Sequence, residues 1–365
     1  MPEIGKNFDK QQFHDLDYLE MTKRHQQLNQ WLIETICTKD YQLEPASGDA
    51  SFRRYFRLKH NDETFIIMDA PPEQENCIPF IDIAERLLAA NINVPRIIEK
   101  DIKQGFLLMS DLGDTQYLDV LTEESVDGLY INSLYQAAMR ELVLIQHQAD
   151  TKNLPPYDEK LLLQEMELFR HWLLQEHIGL DLTVETQAML DEVFKLLANE
   201  ALSQPKVFVH RDYHSRNLMM SGSYEHGVTN GSPGVLDFQD AVHGPVTYDL
   251  VSLLKDCYVK WPSQQIRVWA NNFFDQIAKD HPNIDVAEFM RWFNLMGVQR
   301  HLKASGIFAR LCHRDGKTGY LADIPRTLSY IVDLSDEYPE LRGLIELIQN
   351  QVMSSIDGAN KSCAQ

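Results

Sequence analysis

The sequence predicts an α+β protein in two lobes, a small N-terminal antiparallel sheet with a helix and a larger, mostly helical C-terminal lobe. Three observations predict it. Short segments alternating apolar with polar residues follow one another between Tyr41 and Asp111. Beyond Asp111 the apolar spacing is mostly that of helices. The 365 residues also exceed what a single core serves comfortably, about 250–300 residues. The expected divisions are 1–40 for an N-terminal extension and helix, 41–111 for the first lobe and 112–365 for the second.

Residues 1–13 are polar and expected to be loosely held, whereas Leu19, Leu28, Leu32 and Ile36 recur at helical spacing. Tyr55-Phe-Arg-Leu58 and Thr64-Phe-Ile-Ile-Met68 read as strands around a turn at His60-Asn-Asp-Glu63. Pro71-Pro72 breaks the sheet. A helix through Phe80–Ala89 then stops before Val94-Pro95, and strands resume at Arg96–Glu99 and Gly105–Met109. In the second lobe, Tyr130–His147 and Tyr157–His177 read as amphipathic helices. The latter presents Leu161, Leu162, Met166, Phe169 and Leu173 as core. Ser221–Pro233 is rich in Gly, Ser and Asn and reads as a loop between strands at Leu218 and Val235. After Tyr248 the pattern is helical to about Met353, with a frayed polar tail.

Thirty-four Lys and Arg against 54 Asp and Glu give a net charge of -20, which argues against nonspecific attraction to nucleic acid or an anionic bilayer. A hydrophobic fraction of 44% with 24% charged residues suits a soluble globular chain. The five cysteines (Cys37, Cys77, Cys257, Cys312 and Cys363) are scattered, odd in number and free of any C-x-x-C pair, so a reducing compartment is expected. The polar start lacks the apolar core of a secretory signal, and no apolar run approaches a membrane span of ~18–20 residues. The expectation is a cytoplasmic protein with no nucleic-acid, membrane or protein partner.

The chemistry concentrates in His210-Arg-Asp-Tyr-His-Ser-Arg-Asn217, which follows the apolar Val207-Phe-Val209, and in Gly234-Val-Leu-Asp-Phe-Gln-Asp240. Asp212 can orient the proton of an attacking hydroxyl. Asn217 can offer Mg²⁺ an oxygen without adding charge, while Asp237 supplies an anionic ligand and leaves the metal open to ATP phosphates. Each residue alone reads equally well as a turn residue. Together they match H-R-D-x-x-x-x-N followed by strand, loop, strand and Asp-Phe, which points to phosphoryl transfer. His210 is expected to brace this loop rather than act as the base. A zinc reading of His210 and His214 lacks an H-E-x-x-H pattern.

At these residues the chain resembles the aminoglycoside phosphotransferase and choline kinase-like superfamily, whose members have a two-lobed protein-kinase-like fold, over about Ser47 to Tyr330. More narrowly, Asp49-Ala-Ser-Phe-Arg-Arg-Tyr-Phe-Arg57, Met68-Asp-Ala-Pro-Pro-Glu73, His210–Asn217 and Asp237-Phe-Gln-Asp-Ala241 resemble the anomeric N-acetylmuramate/N-acetylglucosamine kinases of bacterial cell-wall recycling. The resemblance implies ATP-dependent phosphorylation of a sugar C1 hydroxyl, with Asp212 as catalytic carboxylate and Asn217 and Asp237 as Mg²⁺ ligands. Asp249 is expected to cap a helix or brace the catalytic loop.

Two departures stand out from the protein-kinase pattern. Ser47-Gly-Asp-Ala-Ser-Phe-Arg-Arg54 holds one glycine, so the expected nucleotide contacts are Ser47, Gly48, Ser51, backbone N–H groups and Arg54, with Arg53 as the other candidate cation. Met68 stands near the place of the usual lysine. Gly105–Gly113 resembles the interlobe hinge, where backbone groups from Ser110 to Leu112 would pair with adenine. For a sugar substrate the candidates are His214, Asp240, Arg300 and Lys303. The last two could hold an anionic group such as a lactyl carboxylate, or form an ordinary solvated helix face, and Asp240 could equally stabilise its own loop. The competing readings are a kinase for another small hydroxylated molecule (an aminoglycoside, choline or another sugar) and an ATP-binding regulatory pseudokinase.

Overall fold

Residues 23–36 form helix α1, whose Leu28, Trp31 and Leu32 pack on Leu58, Ile67, Phe106 and Leu108 of a sheet. The computed structural model describes residues 23–48, 52–123, 126–225 and 228–363, so Ser51 and the expected looseness of 1–13 lie outside the described residues. The chain divides into two compact units, Met1–Ile81 with Pro95–Asp111, and Asp82–Val94 with Leu112–Gln365. No helix among the described residues is long and apolar enough to cross a membrane.

The first unit is built on a five-stranded antiparallel sheet, β1 (Gln42–Gly48), β2 (Arg54–His60), β3 (Glu63–Asp69), β4 (Ile97–Asp101) and β5 (Phe106–Ser110), in the order β1-β2-β3-β5-β4. Alternation along β3 turns Phe65 and Ile67 towards α1, where Trp31 stacks on Phe106 at 5.5 Å. Burying each such side chain is worth about 1.5–3 kcal/mol. The β2–β3 turn needs only Asn61 and Asp62, at φ 49° and 62°, the left-handed pair of a type I′ hairpin. At Gly105 (φ +72°) a Cβ would lie 1.9 Å from the carbonyl oxygen of Ala70, so only glycine fits.

Helix α2 (Cys77–Ala89) leads from Pro71-Pro72 towards the second strand pair. In the second unit α3 (Tyr117–Leu121), α4 (Gly128–Gln148), α5 (Glu159–Leu168) and α6 (Val184–Ser203) precede a set of short ladders. The segment expected to continue as an α-helix to His177 changes at Phe169 into a π-helix, Phe169–His177. The ladders pair β6 (Lys206–Val209) with β11 (Val242–Pro245), and β7 (Leu218–Met219) with β10 (Gly234–Val235). Between these lies a hairpin of β8 (Ser223–Glu225) and β9 (Val228–Asn230), where the sequence suggested only a loop.

The rest is helical: α7 (Tyr248–Leu254), α8 (Ser263–Ile277), α9 (Val286–Asp315), α10 (Ile324–Val332), α11 (Arg342–Leu347) and α12 (Met353–Cys363). Helix α9 is 30 residues long and buried along most of its course. The expected frayed tail is instead α12, held to α9 by a Cys312–Cys363 disulfide whose partners lie 51 residues apart, a pairing that the scattered cysteines do not announce.

Candidate active site

Strand β6 delivers the chain to His210 through the pairing of Val209 with Val242. There Arg211 adopts φ 77°, a left-handed conformation that costs a non-glycine residue on the order of 1–3 kcal/mol. Asp249 holds it. Its two carboxylate oxygens accept the N–H of His210 at 2.6 Å and the N–H of Arg211 at 2.9 Å. Asp249 sits in the first turn of α7, while Thr247 takes the N-cap position, so its hydrogen bonds brace the loop rather than cap the helix. The guanidinium of Arg211 pairs with Glu165 of α5, and its Nη1 reaches the carbonyl of Asp240 at 3.5 Å.

Past the turn, the Nδ2 of Asn217 donates to the carbonyl of Asp212 at 2.9 Å and approaches Oδ2 of Asp237 at 3.4 Å. The β7–β10 ladder sets this spacing, because Leu218 pairs with Val235 and the N–H of Leu236 donates to the carbonyl of Asn217 at 2.9 Å. Asp237 itself lies at φ 61°, and its Oδ1 accepts the Nε2 of Gln239 at 2.7 Å. Asp212, Asn217 and Asp237 are therefore one constellation. With the N–H side of Asn217 committed to the loop, its oxygen is the atom that can face a cation. One amide and one carboxylate oxygen are the hard donors that Mg²⁺ accepts while it keeps sites for water and phosphate, so the residues fit that ion.

His210 is fully buried and its Nδ1 accepts the N–H of Asp212 at 3.2 Å. Burial pushes its pKa down to about 4, so the ring is neutral near pH 7 and serves the loop as an acceptor. Removal from bulk water works against the charged form of Asp212. Lys303, then His214, Arg300 and Arg211, outweigh that effect and hold its pKa below the usual carboxylate range. Asp249 is pushed up to about 7, because burial, with the nearby Asp212 charge, overcomes its two N–H donors.

Arg300 and Lys303 are 5% and 8% exposed on α9, which corrects the alternative of a solvated helix face. Lys303 donates to the Tyr248 hydroxyl at 2.9 Å and pairs with Glu165 at 3.2 Å. Arg300 reaches Sγ of Cys257 at 3.6 Å, while its Nε has no hydrogen-bond partner. His214 is buried edge-on to Tyr258, and its Nδ1 is likewise unpartnered. The side chain of Asp240 lies on an exposed turn.

In the first unit, Ser47 and Gly48 pair with Tyr55 and Arg54 across the sheet. Arg54 meets Asp69 at 2.5 Å, and Arg24 meets the same carboxylate at 2.7 Å. Asp69 is 1% exposed, and a buried charge demands such partners. Met68 is fully buried. Arg53 pairs with Glu75 at 3.3 Å, and Arg57 with Asp111 at 2.6 Å. The N–H and Oγ of Ser110 are both engaged with the backbone of Arg96, each at 2.9 Å. Leu112 begins the second unit.

Several supporting residues are not evident from the motif. Glu165 collects Arg211, Lys303, the Tyr157 hydroxyl and Gln299 Nε2, the last at 3.2 Å. Its signal was a charge set on the same helical face as Leu162 and Phe169. Asp256 accepts the N–H and hydroxyl of Ser215 at 3.0 and 2.5 Å and the N–H of Tyr258 at 2.9 Å. Nothing in its sequence neighbourhood marks that role.

This arrangement can be set beside known proteins. The model of a family described as "Phosphotransferase enzyme family" matches residues 42–292. An N-acetylmuramate/N-acetylglucosamine kinase of Pseudomonas aeruginosa is 44% identical over 339 residues, 89% of this chain and 96% of that protein. One of the same name from Neisseria meningitidis is 38% identical over 89% of this chain and 95% of its own length. Among solved structures, an ADP-bound aminoglycoside phosphotransferase aligns with a TM-score of 0.55 at 13% identity, over 83% of this chain and 97% of that one. A Plasmodium vivax ethanolamine kinase aligns at 0.54 and 12% identity, over 80% and 81%. These two share the protein-kinase-like fold. By the extent of the family match and the identity to full-length relatives, this chain belongs to the phosphotransferase enzyme family.

Proposed function

We propose that the protein is an ATP- and Mg²⁺-dependent sugar kinase that phosphorylates the anomeric C1 hydroxyl of N-acetylmuramate, N-acetylglucosamine or both, in the cytoplasm. The observation that carries phosphoryl transfer is the bridge that Asn217 makes between the Asp212 carbonyl and the Asp237 carboxylate. The choice of sugar rests on relatives that match nearly their whole length. When bound, MgATP supplies the phosphoryl group and neutralises charge on its oxygens. Asp212, kept ionised, accepts and orients the hydroxyl proton. An anomeric hydroxyl is more acidic than an ordinary alcohol, so orientation matters more than full proton removal. Asn217 and Asp237 offer the metal oxygens.

For the nucleotide we assign the β1–β2 turn with Ser47, Gly48, Ser51 and Arg54, and the hinge backbone from Ser110 to Leu112. Leu112 is the stronger hinge candidate, because the N–H of Ser110 is already engaged. For the sugar we assign His214 and Arg300, whose buried Nδ1 and Nε respectively lack partners, with Lys303 and Asp240 as outer candidates. Arg300 is the group suited to a lactyl carboxylate. Burial of Met68 where a lysine is expected favours a second reading, a nucleotide-binding pseudokinase. ATP consumption measured against N-acetylmuramate, N-acetylglucosamine, choline and an aminoglycoside separates the readings. We expect turnover with the amino sugars only, and turnover with none would support the pseudokinase.

A further inference from the structure

At the far end of α9, three donor side chains from three elements converge within 4.8 Å of one another, His177 at the end of the π-helix, His313 in the last turns of α9 and Cys363 at the end of α12, and Cys312 of α9 adjoins them through Cys363. His177 Nδ1 lies 3.0 Å from His313 Nε2, and Cys363 Sγ lies 3.8 Å from that same nitrogen. Cys312 is bonded to Cys363. We propose that the reduced form of this cluster is a Cys₂His₂ site for a borderline divalent transition metal such as Zn²⁺, separate from the Asp237 centre.

A hydrogen-bond relay presets the ligand. Asn360 Nδ2 donates to the carbonyl of Leu321 at 3.1 Å, which turns Oδ1 of Asn360 onto His177 Nε2 at 2.8 Å. A carbonyl oxygen can only accept, so His177 carries its proton on Nε2 and points the Nδ1 lone pair at the cluster. A bracing acceptor behind a ligating imidazole is how metal sites fix tautomer and ring orientation. A tetrahedral ion with nitrogen at about 2.0–2.1 Å and sulfur at about 2.3 Å spaces its donors roughly 3.3–3.8 Å apart, beside the 3.0 Å found between the two imidazole nitrogens and the 3.8 Å between Cys363 Sγ and His313 Nε2. Opening the disulfide is what lets Cys312 take its own position. Two thiolates balance the dication, and an S₂N₂ donor set selects zinc over Mg²⁺.

In a reducing compartment a pair like Cys312 and Cys363 is more often metal-binding than structural. Opening it with a phosphine reductant consumes one water: phosphorus is oxidised to the phosphine oxide, and each sulfur leaves as a thiol. Binding the dication then releases both thiol protons. Occupied, the site fastens α12 and the π-helix to α9, the helix that carries Arg300 and Lys303.

The test is Co²⁺ titration of the full chain, phosphine-reduced and then desalted under argon. The proposal predicts one equivalent bound with a thiolate-to-cobalt charge-transfer band and intense tetrahedral visible bands, both erased by Zn²⁺. His313→Ala, at an exposed helix end, and Cys363→Ser should abolish the band. Asn360→Ala should weaken Zn²⁺ binding about 10–100-fold, with Asn360→Asp restoring it. The disulfide form should show no band. Weak octahedral absorption alone, a band that survives in His313→Ala, or equal spectra for the reduced and oxidised chains would overturn the site. None of these outcomes depends on kinase activity.

Discussion

At the scale of single residues, the candidate site depends on groups kept in one protonation state by their surroundings. His210 shows the cost. Its imidazole titrates near 6.5 when exposed and near 4 when buried in the fold. Between those values the unfolded chain binds the extra proton, so stability is complete above pH 6.5 and is lost as pH falls towards 4. Denaturant titrations at pH 7 and pH 4 should show that His210→Asn loses roughly 3 kcal/mol less than the parent over that interval. Parallel losses in the two proteins would mean that His210 is not buried neutral. Glu165 offers a second test. It is buried between Arg211 and Lys303, and truncating one partner of such a network strands charge. Glu165→Ala should cost about 3–5 kcal/mol of stability by the same titration, and a loss under 1 kcal/mol would contradict the network.

At the scale of elements, the grouping of the candidate motif was legible because its geometry is largely local. The four residues between Asp212 and Asn217 and a two-residue ladder bring Asp212, Asn217 and Asp237 together, while the more distant Asp249 and Asp256 hold the turn. The β2–β3 hairpin was legible for the same reason. What the sequence hid is set by distant partners. Lys303 looks like part of a solvated face until Glu165 and Tyr248 are brought to it, and Arg300 until Cys257 is, and the polar α12 looks frayed until His177 and Cys312 meet it. The π-helix was hidden because the apolar spacing of Tyr157–His177 suits either winding. Its start coincides with a close passage: a Cβ on Gly306 of α9 would lie 2.3 Å from the carbonyl carbon of Leu168 and 2.5 Å from the N of Phe169. Because those are backbone atoms, Gly306→Ala should destabilise by about 1–3 kcal/mol or more, read as a lowered Tm. An unchanged Tm would show that the two helices can part freely.

For the whole molecule, a charge of -20 predicts self-repulsion that salt relieves. Raising NaCl from about 10 to 150 mM, which shortens the screening length from roughly 30 to 8 Å, should raise the Tm. A fall would mean that favourable ion pairs outweigh the net charge. The family and its fold follow from matches along most of the chain, whereas the hydroxyl that is phosphorylated is the central claim of the proposed function. The most direct measurement is NMR of the product made from N-acetylmuramate, ATP and Mg²⁺, in which phosphorus coupling to a sugar proton locates the new phosphate. The account predicts coupling to the anomeric proton, and product formation reduced ~10²–10⁴-fold in Asp212→Asn with nucleotide binding retained. Phosphate on any other hydroxyl, or near-normal turnover in that variant, would contradict it.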